Sequence, residues 1–335
     1  MRRAIASAGA VGASIVTARL VSRRAAARLL DGPRVGPGEA ALGPALDALG
    51  GEVIRLQSRD GVRLAGRWLP ADRGQADWSG DAHEAILLLH GYSGSVAPDL
   101  VEYGPFLRRT AGVLGLDFRG HGASGPGPTT FGMLEIEDVA GALAWLGERG
   151  IRRVAMVGTS MGGIAAIAAV AVLGDGRLPS ADVDAAATQA ATTAPRPMIV
   201  GVVAESVAPE VEIPVANRLR GPFRRAVARR LFDAATRTLG ADPRATEPAR
   251  VIGLLETTPL LLIHGAADTT VPIADGRRLA ALAGPNAEQW VVPEADHSGA
   301  HAAAGQDYER RVTDFLRRTF RHARGHDLGS GKPGL

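Results

Sequence analysis

The sequence contains no cysteine, which excludes a disulfide framework, a zinc site with thiolate ligands and a cysteine nucleophile. Aromatic residues make up only 4% of the chain, so the core must be built mainly from Ala, Val, Leu and Ile. Lysine is almost missing as well, because Lys332 is the only lysine among the 38 lysine and arginine residues. Acidic residues nearly balance the arginines, and a net charge of +3 gives little reason to expect a nucleic-acid partner.

The residues that are present are typical of a packed globular protein. The chain of 335 residues is 46% hydrophobic and 22% charged, which excludes a largely disordered protein. Its length suits either one large α/β domain or two smaller domains.

The N-terminal segment, residues 1–34, contains a run without charged residues over 4–18, and arginines flank this run on both sides. As a helix the run would span about 22 Å, short of the roughly 30 Å hydrocarbon core of a bilayer. Three interpretations stay open: a secretory signal peptide, a weak membrane anchor, and an alanine-rich helix lying on the protein. We expect a cytoplasmic protein, or one associated with a membrane through this segment, rather than a secreted one. Residues 35–51 follow as a predicted linker.

From Glu52 onward, short apolar runs alternate with helical patterns. The first two runs, Glu52–Ser58 and Val62–Leu69, flank Asp60-Gly61 and predict a hairpin. Six further strands are predicted at Ala85–Leu89, Gly112–Phe118, Val154–Val157, Met198–Ala204, Leu260–Ile263 and Gln289–Val292. Helices are predicted at Glu135–Arg149, Met161–Leu173, Ala274–Ala283 and Tyr308–Phe320. This alternation predicts an α/β fold over residues 52–322, with a mostly parallel sheet covered by helices on both faces.

Three stretches interrupt this rhythm. Residues 174–197 predict a flexible insertion, and residues 323–335 a disordered tail. In a predicted cap region, residues 207–250, apolar residues recur every four positions with arginines between them: Phe223, Val227, Leu231, Ala235 and Leu239. This period predicts an amphipathic helix over the sheet whose arginines face solvent. A helix that faces a membrane stays open as the alternative.

The motif with the most chemical content is Gly158-Thr159-Ser160-Met161-Gly162, which follows an apolar strand and runs directly into a helix of small residues. A strand, a G-x-S-x-G turn and a helix in this order are typical of a nucleophile elbow. The turn is so tight that only glycine fits at its two ends. The serine is then exposed at the carboxyl end of the sheet, beside a helix N-terminus that favours negative charge.

Four blocks in order make the chain resemble the α/β-hydrolase superfamily from about Glu52 to Phe320. The first, His90-Gly91-Tyr92-Ser93-Gly94, is similar to the oxyanion loop of that family. The second is Asp117-Phe118-Arg119-Gly120-His121-Gly122-Ala123-Ser124-Gly125, and the third is the elbow at Ser160. The fourth joins Leu260-Leu261-Leu262-Ile263-His264-Gly265-Ala266-Ala267-Asp268 to Glu294-Ala295-Asp296-His297. Together they satisfy the family order of serine, then acid, then histidine.

A serine hydroxyl is a poor nucleophile unless a base lies within hydrogen-bond reach and an acid orients that base. His297 is the expected base, because it follows the last predicted strand by a short loop and histidine titrates near neutrality. His301 is its rival. Asp268 is the expected acid, and Glu205, at the end of the strand Met198–Ala204, is the second candidate.

The tetrahedral intermediate of acyl transfer needs two donors aimed at its oxyanion. The resemblance implies that these are the backbone N–H groups of Tyr92 and Met161. The Tyr92 side chain is either a further donor or a wall of the pocket. His90 and His264 are expected to shape loops at strand ends, and the block that begins at Asp117 is expected to hold loops together.

The resemblance implies a serine hydrolase that cleaves a carboxylic ester of a small molecule through an acyl-enzyme intermediate. The most similar members are of the esterase, lipase and serine-aminopeptidase type, with a catalytic block like that of prolyl oligopeptidase. No metal ion and no organic cofactor is implied. Peptidase or thioesterase activity stays open on the same fold. So does a role without catalysis, as a binding or scaffold protein.

Overall fold

The structure is a computed structural model that describes residues 24–32, 34–36, 39–74, 80–92, 94–174 and 196–329. The interpretations given above for residues 1–23, for most of the insertion at 174–197 and for the last six residues lie outside these ranges. Within them, no helix has both the length and the apolar character that crossing a bilayer requires.

A single sheet of eight strands forms the centre of the fold. The strands are β1 Glu52–Gln57, β2 Arg63–Leu69, β3 Glu84–Leu89, β4 Gly112–Asp117, β5 Arg153–Thr159, β6 Met198–Glu205, β7 Leu260–Gly265 and β8 Ala287–Val292. Their order is β1-β2-β4-β3-β5-β6-β7-β8. The hairpin β1–β2 is antiparallel and joins β4 antiparallel, while β4, β3 and β5 to β8 pair in parallel. The predicted α/β fold with its mostly parallel sheet is confirmed.

Helices cover both faces of this sheet. They are α1 (residues 24–30), α2 Gly43–Leu49, α3 Ala97–Leu107, α4 Glu135–Glu148, α5 Met161–Leu173, α6 Glu212–Arg218, α7 Arg224–Leu239, α8 Pro248–Val251, α9 Ile273–Ala283, α10 Ala300–Ala304 and α11 Gln306–Gly329. One apolar core lies between the sheet and α4, α5 and α9, and a second lies between the sheet and α3 and α11. All residues of β3, β4 and β5 are buried, which explains why these strands are almost continuously apolar in sequence.

The sequence pattern gave no prediction of helix α3. Its sequence contains Gly104 and Pro105, residues that normally indicate the end of a helix. Pro105 has no N–H to donate to the carbonyl group four residues earlier, but Tyr103 and Phe106 are buried in the second core and offset this loss. Tertiary packing here outweighs the weak local preference for helix.

Both ends of the described chain are more ordered than the sequence predicts. Within the linker predicted at 35–51, a short 3-10 helix precedes α2, and Glu39 accepts hydrogen bonds from the N–H and hydroxyl of Ser95 at 2.8 Å. At the other end, α11 continues through residues 323–329, which the sequence assigns to a disordered tail. Ala323 is buried in the second core, and Arg324 lies 2.8 Å from Glu84.

Helix α7 departs from its predicted orientation over its first half. Ala228, Phe232 and Ala235 are buried, as an amphipathic helix over the sheet requires. Phe223 and Val227, which the same pattern places on the buried side, are 76% and 43% exposed. The apolar stripe of α7 is therefore covered in the second half of the helix and uncovered at its beginning.

Candidate active site

Ser160 occupies a strained turn between β5 and α5. Its φ angle of 50° lies in the left-handed region, which residues with a side chain rarely adopt. A Cβ atom at Gly158 would collide with the backbone of Gly162, and one at Gly162 would collide with the backbone of Leu89. Both glycines are therefore required by the close approach of neighbouring backbone. The turn leaves Ser160 at the carboxyl end of the sheet.

His297 joins Ser160 to Asp268. Its Nε2 atom lies 3.0 Å from Oγ of Ser160, and its Nδ1 atom lies 2.8 Å from Oδ2 of Asp268. Because a carboxylate only accepts hydrogen bonds, the ring proton is on Nδ1, and Nε2 is free to accept the hydrogen of the serine hydroxyl. The three residues follow β5, β7 and β8, whose carboxyl ends meet at the same edge of the sheet.

The carboxylate of Asp268 is fully buried, and several donors hold it. Oδ1 accepts the backbone N–H groups of Thr270 at 2.9 Å and of Val271 at 2.7 Å, which leaves Oδ2 for His297. Burial alone would raise the pKa of Asp268. The hydrogen bonds from His297 and Val271 lower this pKa, and so does the electrostatic effect of the His297 and His264 rings; together they outweigh burial. The pKa therefore lies below its ordinary value, and the group remains a carboxylate.

Glu205, the second candidate acid, lies at the end of β6 with its carboxylate directed to other donors. Oε1 accepts the N–H of Ala300 at 2.9 Å, and Oε2 accepts the hydroxyl of Tyr308 at 2.8 Å. Burial raises the pKa of Glu205 above its ordinary value in spite of these hydrogen bonds. Its contacts fix the first residue of α10, and with it the end of the loop that carries His297.

The rival base, His301, lies on α10 and is held away from Ser160. Its Nδ1 atom is 2.8 Å from a carboxylate oxygen of Glu102, and Nε2 is 3.4 Å from one of Glu309. The ring also stacks on Phe106 with a distance of 5.8 Å between centroids. Both ring nitrogens thus contact acidic side chains of α3 and α11, the two helices that cover the sheet on the side of the second core.

The loop after β3 runs beside Ser160. A Cβ atom at Gly91 would lie only 3.8 Å from Cβ of Ser160. Among the described residues, none accepts a hydrogen bond from the backbone N–H of Tyr92 or of Met161. Met161 begins α5, where the helix dipole contributes partial positive charge. In the described part of the chain, the N–H of Met161, next to Ser160 in sequence, and the N–H of Tyr92, next to Gly91, are thus backbone donors without an acceptor.

Two buried histidines fix this loop. Nδ1 of His90 donates to the carbonyl oxygen of Gly91 at 2.6 Å, and Nε2 accepts the N–H of Phe118 at 3.1 Å. Burial, with a smaller effect of the neighbouring His121, lowers the pKa of His90 to about 3, so its ring is neutral. His121 lies on the other side of the loop, with Nε2 2.7 Å from the carbonyl oxygen of Tyr92.

Helix α1 and the residues after it pack over the same loops. The hydroxyl of Tyr92 donates to the carbonyl oxygen of Leu29 at 2.9 Å. The N–H of Thr129 donates to the carbonyl oxygen of Leu30 at 2.7 Å. Sequence reasoning missed these contacts, since they use backbone carbonyl groups that any residue carries and no motif could have indicated them.

An aromatic wall connects the loop after β3 to the cap. The rings of Tyr92 and Phe131 stack with centroids 5.1 Å apart, and Phe131 contacts Phe232 of α7 at 5.7 Å. The ring of Tyr92 thus packs on Phe131, and its hydroxyl links the loop after β3 to α1.

The block that begins at Asp117 holds loops together. Asp117 accepts the N–H groups of Val96 at 2.8 Å and of Ala123 at 2.9 Å. Arg119 forms ion pairs of 2.7 Å with Asp60 and with Asp138. These contacts tie the β1–β2 hairpin and α4 to the loop after β4.

The fold and the elbow define the class of protein. Residues 86–311 match the family described as "Alpha/beta hydrolase family", which is more than half of the chain, and the protein belongs to that family. Among proteins of similar sequence is YfhR of Escherichia coli K12, which is 26% identical over 286 residues and shares 84% of each chain. YfhR of Salmonella typhi is 26% identical over 255 residues, with 74% of this chain and 75% of the relative covered.

Solved structures of similar fold include hydrolases from two other organisms. The esterase Pf2001 of Pyrococcus furiosus has a TM-score of 0.58 and 24% identity, over 82% of this chain and 95% of the esterase. An alpha-beta hydrolase of Vibrio vulnificus has a TM-score of 0.60 and 18% identity, over 88% and 93% of the two chains. At this level of identity the likeness shows a shared fold.

Proposed function

We propose that the protein is a serine hydrolase that cleaves carboxylic esters, with Ser160 as nucleophile, His297 as base and Asp268 as the orienting acid. One observation carries the proposal: the unbroken chain of hydrogen bonds from Oγ of Ser160 through His297 to the buried carboxylate of Asp268. A serine placed in a strained turn and bonded to an oriented imidazole is the arrangement that activates a hydroxyl group.

Acylation begins when Oγ of Ser160 attacks the ester carbonyl and its proton passes to Nε2 of His297. The carboxylate of Asp268 stabilises the imidazolium ion that forms. The tetrahedral intermediate then breaks the bond to the alcohol, which leaves with the proton from Nε2, and the acyl group remains on Ser160. A water molecule repeats the sequence with His297 as base, and this releases the carboxylic acid and restores the hydroxyl.

The backbone N–H groups of Tyr92 and Met161 are the proposed oxyanion donors. Both are without an acceptor in the described part of the chain, and the Met161 donor also benefits from the dipole of α5. Removal of one such donor typically costs about 3 kcal/mol of transition-state stabilisation. The contacts that fix the loop after β3, from His90 and His121, keep the Tyr92 donor in position.

The aromatic wall supports an apolar group in the substrate. Phe131 and Phe232 are buried behind the partly exposed ring of Tyr92, so that ring is the aromatic surface available beside the proposed oxyanion donor. We therefore expect an ester with an apolar acyl or alcohol group rather than a charged substrate. p-Nitrophenyl acetate, butyrate and octanoate would rank the acyl length, with the matched thioester and an aminoacyl p-nitroanilide as the competing chemistries.

The test is covalent labelling with a fluorophosphonate probe, followed by mapping of the modified peptide. We expect labelling at Ser160 in the wild type and none in Ser160→Ala, with circular dichroism to verify that both proteins are folded. His297→Ala should abolish labelling, whereas His301→Ala, a matched change on a histidine held elsewhere, should label at the wild-type rate. A folded wild type that does not react with the probe would contradict the proposal and favour a binding protein.

A further inference from the structure

The beginning of α7 protrudes from the molecule. All eight residues from 220 to 227 are exposed, although Phe232, Ala234 and Ala235 in the second half of α7 are buried. Phe223, at 76%, is more exposed than any other large hydrophobic side chain in the described ranges, and Val227, one helical turn later, is 43% exposed. Leaving two large apolar side chains in water one turn apart is unfavourable unless another surface covers them.

The charged residues that neighbour Phe223 and Val227 in sequence are all arginines. The stretch from 213 to 232 contains six arginines and no acidic residue. In the described part of the chain, no ion pair is formed by Arg224, Arg225, Arg229 or Arg230. The acidic side chains of the cap are instead bound by Arg244, which contacts Glu212, Asp233 and Asp242. The arginines at the beginning of α7 therefore form no ion pair with a described residue, although Arg224, Arg225 and Arg229 line a surface cavity that also contains Glu210, Glu212 and Asp275.

The position of these arginines is itself unfavourable for the isolated protein. The first turn of α7 contains Arg224 and Arg225 and no acidic residue. The N-terminus of a helix carries partial positive charge and is stabilised by acidic side chains, so two cations there oppose the dipole. An anionic surface in contact with this turn would offset both the dipole and the arginine charges.

The second half of α7 is held firmly from both sides. Phe232 packs into the first core and Ala234 and Ala235 pack against Ala26 and Leu30 of α1. A helix that is packed into the protein at one end and carries an apolar tip with a basic rim at the other has the composition of a helix that binds at a lipid interface.

We propose that residues 220–230, which end the loop before α7 and form the first half of that helix, are a docking surface for a bilayer of anionic lipids. Phe223 and Val227 enter the boundary between headgroups and acyl chains, while the arginines bind the lipid phosphates. Each basic residue near an anionic bilayer strengthens binding, and each apolar side chain that enters it adds an attraction that salt does not screen. The protein is thereby held on the membrane by its cap, independently of whether the proposed hydrolysis occurs.

The absence of cysteine makes a direct test available. Ala226 is exposed between the two apolar side chains, and Ala281 is exposed on α9, so Ala226→Cys and Ala281→Cys give matched single labelling sites in the full chain. Each variant is labelled with an environment-sensitive fluorophore and mixed with vesicles of phosphatidylglycerol and phosphatidylcholine. We expect the label at 226 to shift to shorter wavelength and to be quenched by lipids with a spin label in the acyl chain. The label at 281 should not respond.

Further substitutions in the labelled Ala226→Cys protein separate the contributions of charged and of apolar side chains to vesicle binding. Arg224→Gln with Arg225→Gln should weaken vesicle binding at least tenfold, and so should Phe223→Ser with Val227→Ser. Arg277→Gln with Arg321→Gln, two exposed arginines elsewhere, should change it less than twofold. A label at 226 that stays in water in the presence of anionic vesicles overturns the proposal, whether or not the protein sediments with them. A spectral shift that needs only high protein concentration also overturns it, and assigns the surface to a second copy of the chain.

Discussion

The hydroxyl of Tyr92 donates a hydrogen bond to the carbonyl oxygen of Leu29, 63 residues earlier in the chain, at 2.9 Å. This contact joins helix α1 to the loop whose backbone N–H group is a proposed oxyanion donor. An N-terminal element that sequence analysis separates from the catalytic domain is thus in direct contact with the candidate active site.

The first prediction concerns this hydrogen bond. Tyr92→Phe removes the hydroxyl but keeps the ring that stacks on Phe131. We expect unfolding free energy to fall by about 1 kcal/mol, and kcat for a p-nitrophenyl ester to fall about three- to thirtyfold because the loop is less firmly held. Thermal denaturation and steady-state kinetics measure the two effects. An unchanged kcat would mean that α1 does not influence the oxyanion donor.

A pair of truncated chains tests the same relationship on a larger scale. A chain that begins at Arg24 keeps the contacts of Leu29 and Leu30 and should hydrolyse esters like the full chain. A chain that begins at Gly36 loses those contacts and uncovers His121, against which Gly32 packs. We expect its kcat to fall at least tenfold. Equal activity of both truncated chains would show that the N-terminal contacts are dispensable.

Asp268→Asn should lower kcat by a factor of about 10⁴ at neutral pH. Two backbone N–H groups, from Thr270 and Val271, bind Oδ1 and would retain the amide oxygen there. The amide NH₂ group would then face His297 and donate to Nδ1, which moves the ring proton to Nε2 and blocks its use as a base. Asp275→Asn, on the partly exposed carboxylate of α9, is the control and should leave kcat within twofold. A loss of less than tenfold at position 268 would transfer the role of acid to another residue.

His90 should make the protein less stable in acid. Its pKa is 6.5 in the unfolded chain and about 3 in the folded protein, so below pH 6.5 only the unfolded state binds the proton. The contribution of the neutral His90 ring to the free energy of unfolding is fully present above pH 6.5. It is lost as the pH falls towards 3, by at most ~1.4 kcal/mol per pH unit.

The variant His90→Gln keeps an acceptor for the N–H of Phe118 but has no group that titrates in this range. Its unfolding free energy should therefore fall less steeply between pH 6.5 and 4 than that of the wild type. Urea denaturation at a series of pH values measures the difference between the two proteins, in which carboxyl groups common to both cancel. Parallel curves would refute the prediction.

Gly162→Ala should prevent normal folding of the elbow. The added Cβ atom would collide with the backbone of Leu89 and of His90, which cannot give way without moving β3. We expect a loss of about 3 kcal/mol or more in unfolding free energy, at the upper end of the range for overpacked sites. Gly43→Ala, where an added Cβ atom has no neighbour within 4 Å, is the matched control and should be neutral or slightly stabilising. Equal stability of the two variants would contradict the account of the elbow.

The strands and the elbow were predictable because each rests on a local pattern. β3, β4 and β5 are buried on both faces and therefore read as continuous apolar runs. The turn at Ser160 needs glycine on both sides of it, and both glycines can be recognised in the sequence motif. His297 and Asp268 could be proposed because the resemblance to the α/β-hydrolase superfamily supplies the chain order, and the strand ends limit the candidates to a few.

Other features were not predictable because they depend on partners far away in the chain. Helix α3 contains Pro105 and is stabilised by burial of Tyr103 and Phe106, which a local pattern does not reveal. The exposure of Phe223 depends on where α7 leaves the body of the protein, and the period of its sequence is the same in both halves. Contacts through backbone carbonyl groups, such as that of Leu29, cannot be predicted from residue types, because every residue has a carbonyl group.

The distance along the chain between Ser160 and His297 also has a consequence for biosynthesis. The two residues are 137 positions apart, and the strand before His297 is the last in the sheet. At translation rates of 5 to 20 residues per second, roughly 7 to 27 seconds separate synthesis of Ser160 from synthesis of His297, its proposed base. During this interval the nascent chain carries Ser160 without His297, its proposed base, so the proposed acyl-enzyme cannot form while the ribosome is still completing the protein.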